Sequence, residues 1–102
     1  SDFARGPGYN GGDIYAGKDH WSITSAMFMG RGVGKNRVVG ATTDDQRARP
    51  VDAGSLAVKD SGVIIKPESI HRSLRKLAGV ADGDPAKQFP LAGDDLPKLL
   101  TG

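Results

Sequence analysis

Two adjacent residues near the start of this 102-residue chain, Asp19 and His20, carry side chains suited to metal chemistry. With Asp2 they supply two carboxylates and an imidazole, ligand types that bind zinc, manganese or iron. Arg5 and Lys18 belong to the same glycine-rich stretch and could pair with a bound oxyanion. A purely structural interpretation is also open, in which Asp19 caps a turn and His20 donates to a backbone carbonyl. The spacing alone favours that structural interpretation.

The glycine-dense segment 30–36, GRGVGKN, invites comparison with nucleotide-binding loops. A P-loop needs glycine where Met29 stands and serine or threonine where Asn36 stands. A dinucleotide fingerprint fails as well, because Lys35 or Arg37 occupies the position of its last glycine. We therefore expect a turn that joins two strands.

Two further residues have reactive side chains. His71 lies beside Arg72 and Arg75, and we expect it to be solvated or at an interface rather than a metal ligand. Ser1 could act as an N-terminal nucleophile with its own amine as the base. An acid and a glycine-rich loop follow Ser1 instead of a strand, and this disfavours the nucleophile hypothesis.

Composition excludes several classes of protein. The chain has no cysteine, which rules out a disulfide framework, thiolate zinc ligation and a cysteine nucleophile. The net charge is only +2 and the basic residues are scattered, so we expect no nucleic-acid partner. No apolar run is long enough to span a membrane, and no signal peptide begins at Ser1.

The pattern of apolar residues predicts an α/β protein with a few short strands, one clear helix and long glycine-rich loops. Strands are expected at 21–30 and 37–42, and residues 62–66 form either a third strand or an extended lead-in. The helix is expected over 67–79. Three short strands and one helix make a poor sheet on their own, so we expect missing strands to come from elsewhere.

The helix has the strongest local signals. Pro67 suits its first position and Gly79 can end it in the left-handed conformation. Ile70, Leu74 and Leu77 recur at helical spacing and predict one apolar stripe.

We interpret the chain as a single partial domain, completed by an N-terminal portion of the same protein or by a partner chain. Only 37% of its residues are hydrophobic, and nine of its fifteen glycines precede residue 41. The predicted parts are a site loop, strands with turns, the helix and a tail, at 1–20, 21–66, 67–79 and 80–102.

The order of motifs resembles a known family. The segments SDFARGPGYNGG…GKDHW, GRGVGKNRVVGATTDD, PVD and a helix ending LRKLAGV follow one another through most of residues 1–80. This order is similar to the C-terminal third of a family of uncharacterised exported bacterial proteins with twin-arginine signals, related to the alkaline phosphatase and sulfatase superfamily. The resemblance implies a fragment of a three-layer α/β fold, hydrolysis of phosphate or sulfate esters, and an exported, periplasmic or cell-surface location.

The resemblance also implies roles for particular residues. Asp2 is similar to the aspartate of a metal-binding Asp-His pair, whereas Phe3 stands where the histidine of that pair would be. His20 is similar to a later metal-binding histidine, and Asp19 would be a second acid or would orient His20. The metal would be a divalent ion such as zinc, manganese or calcium. The family's nucleophile precedes the part that this chain resembles.

Three functional hypotheses follow. In the first, the chain belongs to a metal-dependent hydrolase, and Arg5 and Lys18 contact the oxyanion of an anionic ester. In the second, it belongs to a non-catalytic exported structural or binding protein, an interpretation that Phe3 favours. In the third, it is a small independent basic domain that binds a polyanion in a salt-sensitive way.

Overall fold

The computed structural model describes residues 4–102, so the predictions for Ser1, Asp2 and Phe3 fall outside the described residues. Four elements occur in the described part of the chain: β1 (Ala4–Arg5), β2 (His20–Trp21), α1 (Pro67–Leu77) and α2 (Asp84–Gln88). The two strands form one antiparallel sheet. The α/β class is confirmed at this coarse level, and the three-layer architecture stays a prediction.

The predictions of strands at 21–30 and 37–42 are wrong. β2 ends at Trp21, and residues 23–29 have no regular structure. Within 37–42 the structure has a single isolated bridge, between Thr42 and Ala48. A strand needs a neighbouring strand for its backbone groups, and the described residues provide none for these segments.

The segment 62–66 follows the second of its two predicted alternatives. Val63 makes one isolated bridge with Val51, and the chain then runs extended into α1. The amide of each valine donates to the carbonyl of the other at 2.8 Å. This reciprocal pair of hydrogen bonds joins the lead-in of the helix to the core.

The hydrophobic core lies between the loop that begins at Val51 and the C-terminal turn. Its cluster consists of Val51, Leu56, Leu96 and Leu99, with Leu100 also buried. Partly buried apolar side chains from the helix and its lead-in pack against this cluster. The core is therefore built mainly from loop residues that are far apart in the sequence.

The prediction of helix α1 is confirmed. Pro67 is its first residue, where the missing amide donor costs nothing. Gly79 adopts φ 71°, the left-handed conformation expected after a helix C-terminus. Ile70, Leu74 and Leu77 are only half-buried. The predicted apolar stripe thus faces the protein without being enclosed by it.

Two serines are the buried residues of α1. The Ser69 hydroxyl donates to the Asp94 carbonyl at 3.0 Å. The Ser73 hydroxyl lies within hydrogen-bond distance of the carbonyls of Ser69 and Leu96, at 3.1 Å and 3.4 Å. Because serine is small, the tail of the chain can approach the helix closely and accept these bonds.

The molecule is elongated, with extents of 52 × 29 × 26 Å and a radius of gyration of 16.3 Å. A compact domain of this length would have a radius of gyration of about 13 Å. Many large apolar side chains are exposed: Tyr9, Ile14, Tyr15, Met27, Met29, Val38, Val58, Val80 and Phe89. Most of them lie before residue 39. The first third of the chain therefore packs much less tightly than the rest.

Among residues 4–102, no helix is both long and apolar enough to cross a membrane.

Candidate functional site

The residues expected to form the site lie on a β-hairpin, residues 4–21. Ala4 pairs with Trp21, and Arg5 pairs with His20. Beyond the strands, the Gly6 amide donates to the Asp19 carbonyl at 3.0 Å, which continues the pairing by one residue. Residues 1–20 were predicted to be loop, so the hairpin is a finding of the structure.

Gly6 and Trp21 lie side by side at the open end of the hairpin. Gly6 is buried, and a β-carbon there would lie 3.6 Å from the Trp21 ring. At the other end, the Asn10 amide donates to the Gly17 carbonyl at 2.8 Å, and the Tyr15 amide donates to the Asp13 carboxylate at 2.9 Å. An Asx turn at Asp13 therefore shapes the tip.

Arg5 and His20 are the two site residues that the register brings together. Residues directly opposite each other in an antiparallel pair place their side chains on the same face, with Cβ atoms about 5 Å apart. Both residues are exposed. The Arg5 guanidinium also donates to the Lys18 carbonyl at 2.9 Å, across the hairpin. A cation and an imidazole thus share one solvent-facing surface.

Asp19 has a structural role in the hairpin. Its carboxylate accepts a hydrogen bond of 2.7 Å from the Asn10 side chain. Successive residues of an extended strand point to opposite faces, so Asp19 and His20 are not expected to share a face. This contact favours the structural interpretation of Asp19. The sequence contains no indication of a role for Asn10 except that it lies among turn-forming glycines.

Lys18 folds back over the hairpin. Its ammonium donates to the Pro7 carbonyl at 3.3 Å and lies 4.8 Å from the centre of the Tyr9 ring. A lysine ammonium has three donors, and the Pro7 carbonyl accepts from one of them. Its position is therefore held by a carbonyl and an aromatic face, as expected for a cation–π contact.

A turn at residues 43–47 anchors the hairpin to the rest of the chain. The Trp21 indole donates to the Gln46 carbonyl at 2.7 Å. Within the turn, the Asp45 carboxylate accepts from the Thr43 hydroxyl at 2.5 Å and from the Arg47 guanidinium at 2.8 Å. The hydrogen bond from Thr43, followed by that from Arg47, lowers the pKa of Asp45. Sequence reasoning missed this anchor, since it joins residues distant along the chain.

The described residues do not by themselves fit a metal site. A zinc site takes at least three protein ligands, and residues 4–102 contain no group of three potential His, Asp or Glu ligands. Asp19 and His20 supply at most two. The third predicted ligand, Asp2, lies outside the described residues.

The glycine-dense segment 30–36 is a turn, as predicted, but it joins no strands. The Gly34 amide donates to the Leu100 carbonyl at 2.6 Å. The Arg37 guanidinium donates to the carbonyls of Lys98 and Leu99 at 2.6 Å and 2.7 Å. These contacts satisfy carbonyls at the end of the C-terminal turn.

The basic residues of α1 divide into two groups. His71 is exposed, in agreement with its predicted solvation. Arg72 instead donates to the Leu91 carbonyl, and Arg75 donates to the Phe89 carbonyl at 2.7 Å. The two arginines thus fasten the tail to the helix.

No family model, curated protein or solved structure matches this chain.

Proposed function

We propose that this chain is part of a hydrolase of phosphate or sulfate esters and that the hairpin carries its contribution to the site. The observation that carries the proposal is the register, which sets Arg5 opposite His20 on an exposed face. An arginine can bind two oxygens of a phosphate or sulfate at once, and a neighbouring imidazole can bind a metal or move a proton. The order of motifs in the sequence supports the same class of function.

In this proposal Arg5 binds the ester oxyanion, and Lys18 adds positive charge nearby. The experiment is the hydrolysis of aryl phosphates and sulfates by the native protein. Loss of a charge-assisted hydrogen bond is expected to lower kcat/KM about ten- to a hundredfold in Arg5→Ala. Arg5→Lys should recover part of that loss. Arg31→Ala removes another exposed cation, from the glycine-dense turn, and serves as the matched control. Equal activities of Arg5→Ala and Arg31→Ala would refute the role of Arg5.

The metal part of the proposal depends on Asp2 and on ligands from outside residues 4–102, together with His20. Zinc, manganese and calcium are the candidate ions. Metal content of the native protein should be close to stoichiometric and should fall in His20→Ala. His71→Ala removes the other histidine, which lies exposed on α1, and should leave the metal content unchanged. A metal-free wild type, or retention of metal in His20→Ala, would contradict this part.

We also propose that an N-terminal portion of the same protein, or a partner chain, covers residues 4–38. The exposed apolar side chains of this segment support the proposal: Ile14 and Tyr15 are 90% and 88% exposed, and Val38 is 93% exposed. Covering such side chains contributes roughly 25 cal/mol per Å². Hydrogen exchange of the 10.7 kDa chain alone should then be fast over 22–38 and slow in α1. Slow exchange over 22–38 in that chain, or a native protein of only that mass, would overturn the proposal.

A non-catalytic exported binding protein is the second candidate function. The Asn10–Asp19 hydrogen bond favours it, because it gives the Asp19 carboxylate a structural role in the hairpin that needs no metal. Under this hypothesis His20→Ala leaves partner binding intact and the native protein hydrolyses no ester. An exported, periplasmic or cell-surface location is common to both candidates, and cell fractionation tests it.

A further inference from the structure

A cleft outside the hairpin contains a second concentration of positive charge. The cleft has a volume of about 330 Å³ and lies between α1 and the tail. Its lining includes the side chains Arg72, Arg75 and Lys76 of one helix face, opposite Asp82 and Asp95. We call it the basic cleft. It includes no residue of the hairpin, so it is separate from the site proposed above.

The two arginines of the basic cleft are held in place before any ligand binds. Arg72 donates through Nη2 to the Leu91 carbonyl. Arg75 donates through Nη1 to the carbonyls of Phe89 and Ala86, at 2.7 Å and 3.4 Å. A long side chain that is already held in one conformation loses less conformational entropy when a ligand binds. Each guanidinium has five donors, so within the described part of the chain both have donors beyond those bonded to carbonyls.

The acidic residues of the basic cleft do not neutralise these arginines. The Lys76 ammonium lies 2.8 Å from both carboxylate oxygens of Asp95, so this pair is self-contained. Among the described residues, Asp82 forms no ion pair and is exposed. Two guanidiniums therefore face one unpaired carboxylate, and the basic cleft carries a net positive charge.

An apolar hollow of about 430 Å³ adjoins the basic cleft. Arg75 and Ala86 line both spaces. Val80, Pro85 and Phe89 are among the residues that line the hollow but not the basic cleft. The side chains of Val80 and Phe89 are largely exposed, at 54% and 64%. A ligand with a charged group in the basic cleft would thus place an attached apolar group on this surface.

We propose that the basic cleft and the apolar hollow together bind an organic phosphate or sulfate, with the anionic group between Arg72 and Arg75 and the apolar group on Phe89. Tetrahedral oxyanions offer several oxygens to two guanidiniums, and arginine binds them through paired hydrogen bonds. Because of the hollow, a ligand that carries an apolar substituent should bind more tightly than the inorganic ion. The role is binding, independent of hydrolysis at the hairpin.

The test is a titration of the ¹⁵N-labelled chain at low ionic strength with inorganic phosphate, methylphosphonate and phenylphosphonate. Phosphonates are not esters, so binding is measured whether or not the protein is a hydrolase. Amide shifts should change around Arg72, Arg75 and Ala81, and phenylphosphonate should bind about five- to tenfold more tightly than methylphosphonate. Equal affinities of the two phosphonates, or shifts confined to other regions, would overturn the proposal.

Variants distinguish the two halves of the site without disturbing the bonds that hold the tail. Asp82→Asn removes the unpaired carboxylate and should raise the affinity for every anion about two- to fivefold. Asp44→Asn makes the same change of charge in an exposed turn that does not line the cleft and should leave the affinity unchanged. Phe89→Ala keeps the backbone carbonyl that accepts from Arg75 and should weaken only the phenylphosphonate complex. An equal effect of Asp82→Asn and Asp44→Asn would show non-specific attraction and refute the site.

Discussion

Gly62 lies where the lead-in of α1 meets the core, and replacing it with alanine should destabilise the protein severely. An added β-carbon would lie 2.2 Å from the Val51 carbonyl oxygen and 2.8 Å from the Lys59 carbonyl oxygen. Both neighbours are backbone atoms, so no side-chain rotation relieves the overlap. Ordinary contact begins near 3.4 Å, and the two segments must separate by about 1.2 Å, the difference between 3.4 Å and 2.2 Å.

That displacement acts on the most buried part of the chain. Val51 has no exposed surface, and its reciprocal hydrogen bonds with Val63 are both 2.8 Å long. Lengthening them by about 1.2 Å breaks both, at about 1 kcal/mol each, and overpacking of a core adds about 1–3 kcal/mol. The free energy of unfolding should therefore fall by about 3–5 kcal/mol, against a total of about 5–15 kcal/mol for a typical domain.

The assay is urea unfolding, followed by the far-ultraviolet circular dichroism of α1. Gly54→Ala is the matched control, because its β-carbon would lie 3.6 Å from the Asp52 carboxylate, an ordinary contact in the same loop. We expect a change of less than about 1 kcal/mol for this control. A Gly62→Ala variant that loses no more unfolding free energy than Gly54→Ala would contradict the predicted overlap at Gly62.

Three further predictions each concern one side chain. Ser73→Ala removes a buried hydroxyl and should lower the free energy of unfolding, measured in urea, by about 1 kcal/mol. Ser61→Ala, at an exposed position, should change it little. Equal losses in the two variants would contradict the role of the Ser73 hydroxyl. Trp21→Phe removes the bond to Gln46 and should speed amide exchange in the hairpin about fivefold without affecting α1, and unchanged hairpin exchange would argue against the anchor. Hydrogen bonds from the Ser55 amide, Lys59, the Ser55 hydroxyl and the Gly54 amide strongly lower the pKa of Asp52. The stability that Asp52 contributes is thus present above the unfolded-state pKa of about 3.9 and is lost as the pH falls towards the folded-state pKa. Between about pH 5 and about pH 2, the free energy of unfolding should therefore fall less in Asp52→Asn than in wild type. Equal falls in the two proteins would show that these hydrogen bonds are not the cause.

Helix α1 and the glycine-dense turn were predictable from the sequence because their signals are local. Proline restricts φ at the first position of the helix, and glycine accepts the left-handed conformation that ends it. Both signals act through the backbone of a few neighbouring residues. The absence of cysteine likewise excluded whole classes of chemistry without any knowledge of the fold.

The structure places most of the predicted site residues on one hairpin, and their functional roles stay predictions. The sequence grouped Arg5, Lys18, Asp19 and His20 with Asp2, which lies outside the described residues, and the other four lie on the hairpin. Which of them share a face could not be read from spacing, because register depends on pairing between residues fifteen positions apart. The hydrogen bond that engages Asp19 with Asn10 is equally a product of that pairing.

What the sequence by itself determined is the set of local conformations: a helix from Pro67, turns at the glycines and a loop-rich start to the chain. Only the tertiary structure decided which apolar segments become strands, because a strand requires a partner for its backbone hydrogen bonds. It also decided that Ser69 and Ser73, rather than the apolar stripe, are the buried residues of α1, since the tail approaches that face. Packing between distant segments has no signature in any short window of residues, and for that reason only the folded chain shows it.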